Sequence, residues 1–121
     1  MHHHPISQVT DAPLSIGQSV LDHLLILRHA DKFRDLPGVG TADESARLSA
    51  IMNDILDRLM AGLQANPGKL WVLTEFERGL TLVADEDTEA REHFGTVLET
   101  VMDVVGIESS DGLLAAYLGG I

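Results

Sequence analysis

The chain has 121 residues, 19 acids against eight lysines and arginines for a net charge of −11, and no cysteine. That composition excludes thiol catalysis, thiolate metal sites and disulfides, and gives the wrong sign for direct binding to nucleic acid or an anionic membrane. A chain of this size buries roughly two-thirds of the surface its unfolded form exposes, so one hydrophobic core suffices without a staple.

The Met1-His2-His3-His4 start is either native or the remnant of a purification tag and is set aside. Residues 1–13 read as an arm, because Pro5 to Pro13 interleave small polar residues with Ile6 and Val9, side chains through which the arm could dock. Residues 14–121 read as one helical domain. No charged-then-apolar leader opens the chain, and the apolar run Leu24–Leu27 is far too short to span a membrane, so a soluble cytoplasmic protein is expected.

Helix one is predicted to start at Ser15, whose spacing to Gln18 has the capping-box form. Its expected buried positions are Val20, Leu21, Leu24, Leu25, Leu27 and Phe33, a stripe wide enough for a central helix, with Leu36-Pro37-Gly38-Val39-Gly40 as its terminator. Thr41 and Glu44 form a second capping box. Leu48, Ile51, Met52, Ile55, Leu56, Leu59, Met60 and Leu63 then repeat at three and four, with Asp54 and Arg58 paired on the opposite face and Asn66-Pro67-Gly68 closing helix two. Helix three is predicted from Lys69 to Val83, burying Leu70, Leu73, Phe76, Leu80 and Val83. Gly79 within it implies a close backbone approach or a break.

Asp87 or Thr88 can cap helix four, whose stripe is Phe94, Val97, Leu98, Val101, Met102 and Val105. Gly106 is suited to the left-handed conformation that ends a helix, with Ile107 folding back over the last turn. Ser109 or Ser110 then caps a short last helix, with Asp111 near its positive end. No stretch alternates as a sustained strand. The expected fold is all-α: a single compact bundle of about five helices, mostly antiparallel neighbours.

Ser109-Ser110-Asp111 has no histidine nearby to act as a base, so capping outweighs catalysis there. His93 follows Glu89 by four residues and reads as a solvated pair rather than half of a di-metal site; His23 and His29 read as structural. No catalytic residue is assigned, and no residue set demands a metal or cofactor. Glu92, Glu99 and Asp103 lie on the outer side of helix four, where Glu99 and Asp103 repel one another and a cation or basic partner would relieve them; an ordinary wet face is the plainer reading. Trp71, the only tryptophan, fills a core edge or anchors a partner.

The residues Lys32-Phe33, Leu73 through Phe76 to Gly79-Leu80, Asp87-Thr88-Glu89 with Arg91-Glu92, and above all the string from Met102-Asp103 through Val105-Gly106-Ile107-Glu108-Ser109-Ser110-Asp111-Gly112-Leu113-Leu114 give the chain its resemblance to a bacterial domain-of-unknown-function family, DUF4844. The resemblance spans roughly 31–119 and implies a small helical bacterial protein. After Leu114 the family tends toward asparagine and an aromatic-glycine ending, where this chain has Ala115-Ala116-Tyr117-Leu118-Gly119.

From Glu75 onward eleven acids face only Arg78 and Arg91, a net of −9 that would steer a basic partner to this half, although charge for solubility alone is a competing account. The leading expectation is therefore a non-enzymatic protein-interaction module, an immunity-like inhibitor of a basic protein being one form of it, with Glu92, Glu99, Asp103 and Trp71 as partner-binding residues. The alternative is a ligand or metal pocket between helices one, three and four, built from His23, His29 or His93 with Glu75 or Glu89. Self-association through Trp71 or the arm is a third possibility.

Overall fold

Apolar side chains recur at three and four from Leu48 to Leu63, and in a computed structural model, which describes residues 4–33 and 42–119, they lie along α2 (Ala42–Gly62). The other helices are α1 (Gln18–His29), α3 (Lys69–Val83), α4 (Thr88–Val105) and α5 (Leu113–Leu118), with a 3-10 turn at Pro5–Gln8. Among the described residues the fold is all-α, the one extended pairing being an isolated bridge between Pro13 and Gly68. The helices close a ring: α1 packs on α2, α2 on α3, α3 on α5, α5 on α4, and α4 back on α1. The short α5 thus wedges between two helices that follow one another in the chain. The 3-10 turn rests on α3 and α5.

Each helix turns its apolar stripe to the centre of the ring, where Leu24, Phe33, Met52, Phe76, Phe94 and Leu113 are fully enclosed. Phe33 stacks on Phe94 with centroids 5.9 Å apart and planes 13° from parallel, tying the segment after α1 to α4. Gly79 allows α3 to lie directly against α2. A Cβ there would sit 2.5 Å from Ile55 Cδ1 and 3.2 Å from Ile51 Cγ2, so the close approach, not a helix break, explains the residue.

Helix one departs from expectation. It starts at Gln18 after Gly17, and no side chain caps it. Leu14 and Ile16 pack against the core while Ser15 and Gly17 face out, an alternation that keeps this stretch extended; the Gln18 amide bonds Asp22 at 2.9 Å instead of reaching back to Ser15. Nor is the helix central, since Leu24 is its one buried residue and Leu25, expected inside, is 48% exposed. The chain leaves the helix after His29, where Lys32 Nζ donates to the carbonyls of Leu27 (2.8 Å), Ala30 (3.0 Å) and Arg28 (3.3 Å). Burial, then the neighbouring Arg28 charge, holds the Lys32 ammonium below its usual pKa. The predicted terminator Leu36–Gly40 and the Thr41 cap lie outside the described residues.

The bounds of α3 are as predicted, but its buried face is turned slightly: Val72 is enclosed and Leu70 is 37% exposed. Asp87 caps α4 by accepting from the Ala90 N–H at 2.9 Å. At its other end Gly106 has φ 90°, both Gly106 and Ile107 donate to the Met102 carbonyl, and Ile107 is 3% exposed. Asp54 pairs with Arg58 as predicted, and Arg58 Nε also reaches Glu75 at 2.7 Å, compensating the one buried acid among the described residues.

Gly79→Ala is expected to destabilise the protein by about 1–3 kcal/mol through overpacking, against about 1 kcal/mol gained in helix propensity. Urea denaturation checks this. Combined with Ile55→Val, which removes the obstructing methyl, the loss should be smaller than the sum of the two single losses.

Candidate functional site

The arm is stitched to the start of α3 and to the corner before α5. Leu14 N–H donates to the Pro67 carbonyl at 2.8 Å and Lys69 N–H to the Ala12 carbonyl at 2.8 Å, bracketing the Pro13–Gly68 pair. Asp11 Oδ1 accepts from Leu70 N–H at 3.0 Å, so α3 is capped by a carboxylate 59 residues away rather than by its own neighbour. Ile6 and Val9 pack against the core, giving the arm its apolar hold.

Asp111 locks this arrangement. Its Oδ2 accepts from Thr10 N–H at 2.9 Å and from Lys69 Nζ at 2.8 Å. The residue has φ 54°, a left-handed conformation that aspartate tolerates better than most side chains, and Gly112 follows at φ 87°. Asp111 therefore does not serve the positive end of α5, as its position in the sequence suggested: the left-handed pair accompanies a side chain directed at the arm. The capping is done by Ser110, whose carbonyl accepts from Leu113 N–H at 3.1 Å and whose hydroxyl accepts from Leu114 N–H at 3.3 Å. Ser109 Oγ accepts from Asp111 N–H at 3.1 Å. Lys69 and Thr10 together hold the Asp111 carboxyl below its ordinary pKa.

Three concavities run in a row over this surface. The first, of about 490 Å³, lies between Asp11–Pro13, Asn66–Gly68 and Trp71. The second, about 270 Å³, shares Ala12 and Pro13 with it and continues past Lys69 to Gly106–Ser109. The third, about 320 Å³, shares Ile107, Glu108 and Ser109 with the second and is rimmed by Glu99, Asp103 and Ser110. Shared lining residues join them into an interrupted furrow, with Trp71 lining its first hollow and three carboxylates its last.

Of the residues singled out from the sequence, Glu99 and Asp103 meet at the acidic end. Trp71 stands at the opposite end, half-buried. Glu92 is exposed two turns before Glu99 and lines none of the three hollows. Glu108, Asp11 and the Asp111–Lys69 pair are candidate site residues that sequence reasoning missed; the long motif string around the corner contains Glu108 and Asp111, and nothing in the sequence pointed to Asp11 or Lys69. Of the alternative set, His23, His29 and Glu89 are exposed, His93 is half-buried, and Glu75 is taken by Arg58. Among the described residues no three histidines or carboxylates are grouped to hold a metal, and no helix is long and apolar enough to cross a membrane.

The electrostatics are lopsided. Arg28 pairs with Asp57, Arg47 with Glu86, Arg58 with Asp54 and Glu75, Lys69 with Asp111, and Arg78 lies 3.6 Å from Glu75. Lys32 sits on backbone carbonyls and Arg91 reaches Thr88 at 3.4 Å. Among the described residues no cation pairs with Glu92, Glu99, Asp103 or Glu108.

Residues 15–121 match the model of a family described as Domain of unknown function (DUF4844). No curated protein and no solved structure matches the chain.

Because the Asp111 carboxyl titrates below its ordinary range when folded, its contribution to stability is present above that range and is lost as the pH falls through the lowered value. The Thr10 amide resonance should therefore stay constant from neutral pH through the usual carboxylate range and move only below it. In Asp111→Asn that step should vanish and protease cleavage between residues 4 and 14 should accelerate.

Proposed function

We propose that this chain, which belongs to the DUF4844 family, is a non-enzymatic interaction module that receives a basic segment of a partner protein at the outer face of α4 and the corner that follows it. The observation that carries the reading is the partition of charge. Among the described residues Arg28, Arg47, Arg58 and Lys69 pair with acids elsewhere, Arg91 reaches only Thr88, and Glu99, Asp103 and Glu108 surround one hollow without a counter-ion. Like charges four apart on a helix, as at Glu99 and Asp103, cost about 0.2–0.5 kcal/mol. An incoming lysine or arginine removes that cost and pairs with an acceptor it does not have to strip from another cation.

Complementarity of this kind governs encounter rate and selectivity more than raw affinity. Glu92, two turns back along α4, extends the negative field beyond the hollow and would draw the partner in. Inhibition of a basic protein, in the manner of an immunity protein, is one activity such a surface would serve. The histidine-carboxylate pocket has no comparable support, since His23, His29 and Glu89 are exposed, Glu75 is paired with Arg58, and His93 alone of the set is half-buried.

The triple variant Glu99→Gln, Asp103→Asn, Glu108→Gln should fold with a midpoint equal to or slightly above that of the parent, because repulsion is relieved. In pull-downs from the native host, the parent should retain a basic protein at about 50 mM salt and lose it at about 500 mM, where the screening length falls from roughly 14 to roughly 4 Å. The triple variant should lose it at both. A wild-type pull-down with no salt-sensitive protein removes the support for a partner.

A further inference from the structure

We propose that the docking surface is the whole furrow rather than its acidic end, and that its occupant is an extended basic segment that lays one cationic side chain on Trp71 beside Asp11 and others among Glu99, Asp103 and Glu108. The inference rests on the basic partner proposed above and adds its conformation, a second anchor point and a condition for binding.

Trp71 is built as an anchor. A Cβ on Gly62 would come within 2.5 Å of Trp71 Cζ2 and 2.6 Å of Cη2, so one edge of the ring is pressed against the α2 backbone and its orientation is fixed. Trp71 also lines the first hollow, together with Pro13 and Pro67. Proline supplies no N–H, so the walls favour apolar stems, while the Trp71 face attracts a cation at their end. Asp11 stands at the same hollow. Its Oδ1 is used by the Ala12 and Leu70 amides, and among the described residues its Oδ2 has no partner. An arginine or lysine lying there gains a fixed aromatic face and a free carboxylate oxygen together.

The shape selects the conformation. Hollows in a row with shared walls suit side chains projecting from an extended backbone, which advances about 3.3 Å per residue, better than the continuous stripe of a helix. Lys69 is the one cation along the row, and Asp111 neutralises it. The middle of the furrow is walled by Ala12 and Pro13 of the arm and by Leu14, which follows it. Release of the arm from Asp111 therefore dismantles one wall and bares the Lys69 charge in the path of a basic segment.

The test is a nitrogen-15 titration of the full chain with a synthetic twelve-residue arginine-serine peptide, with an aspartate-serine peptide as control. The Trp71 indole N–H and the backbone amides between Glu99 and Glu108 should shift along one saturation curve for the basic peptide and stay still for the acidic one. Asp11→Asn, which keeps an oxygen to cap α3 but loses the charge, should weaken binding about threefold to tenfold, and Trp71→Ala about tenfold or more. Asp111→Asn should remove the Trp71 response and leave shifts at the acidic end. A Trp71 resonance that stays still while the acidic end saturates overturns the furrow and leaves the acidic-end reading standing. Silence at both ends overturns both.

Discussion

The bond pair at Asp111 is the constraint on which the candidate surface depends. One carboxylate oxygen draws together three parts of the chain that share no local sequence: the arm through the Thr10 amide, the first residue of α3 through Lys69, and the corner before α5 through the aspartate's own backbone. Around it the arm is held by a short backbone ladder and by Asp11 on the α3 terminus. Each of these bonds is modest alone, because folding trades protein hydrogen bonds for those with water. Together with the apolar seat of Ile6 and Val9 they make a segment whose one regular element is a 3-10 turn part of the domain surface. The aspartate adopts a backbone conformation that few side chains tolerate, and the two bonds it forms are the visible compensation.

Much of the fold was legible in the sequence, for physical reasons that also mark where reading stopped. The α2 stripe from Leu48 to Leu63 is unambiguous because every third or fourth position is apolar and the far side is charged. The bounds of α3, the Asp87 cap and the Gly106–Ile107 stop follow from local chemistry, which composition within a few residues determines. Helix one was misread because apolar residues around its start are dense in every direction. Leu14 and Ile16 follow a period of two, and Leu25 and Ile26 lie outside any buried stripe, yet all four are apolar. The site was half legible. Glu99, Asp103 and Trp71 could be picked out, but the walls that join them come from the arm, and no periodicity reports a contact between residues 59 or 101 positions apart.

The distribution of charge repeats this division between local and distant causes. The sequence shows an acidic second half, but only the packing shows why it stays uncompensated. Arg58 reaches across from α2 to a buried glutamate on α3, and Arg47 crosses to Glu86 in the turn before α4, so the cations act as braces between helices. Arg91, the one lysine or arginine on α4, reaches Thr88 and pairs with none of Glu99, Asp103 and Glu108. A negative surface of this kind is thus a by-product of how the bundle is cross-linked as much as of how many acids it contains.

The wedge position of α5 has a consequence for how the molecule is made. The ring of helices closes through α5, which packs on both α3 and α4, and the arm's 3-10 turn settles against both α3 and α5. During synthesis α1 to α4 emerge first and can pair only into an open arc whose inner face is greasy and wet. Completion waits for the six residues of α5, and only then does the 3-10 turn at Pro5–Gln8 find its full seat. The 3-10 turn, made before α1, is therefore among the last parts of the described chain to settle.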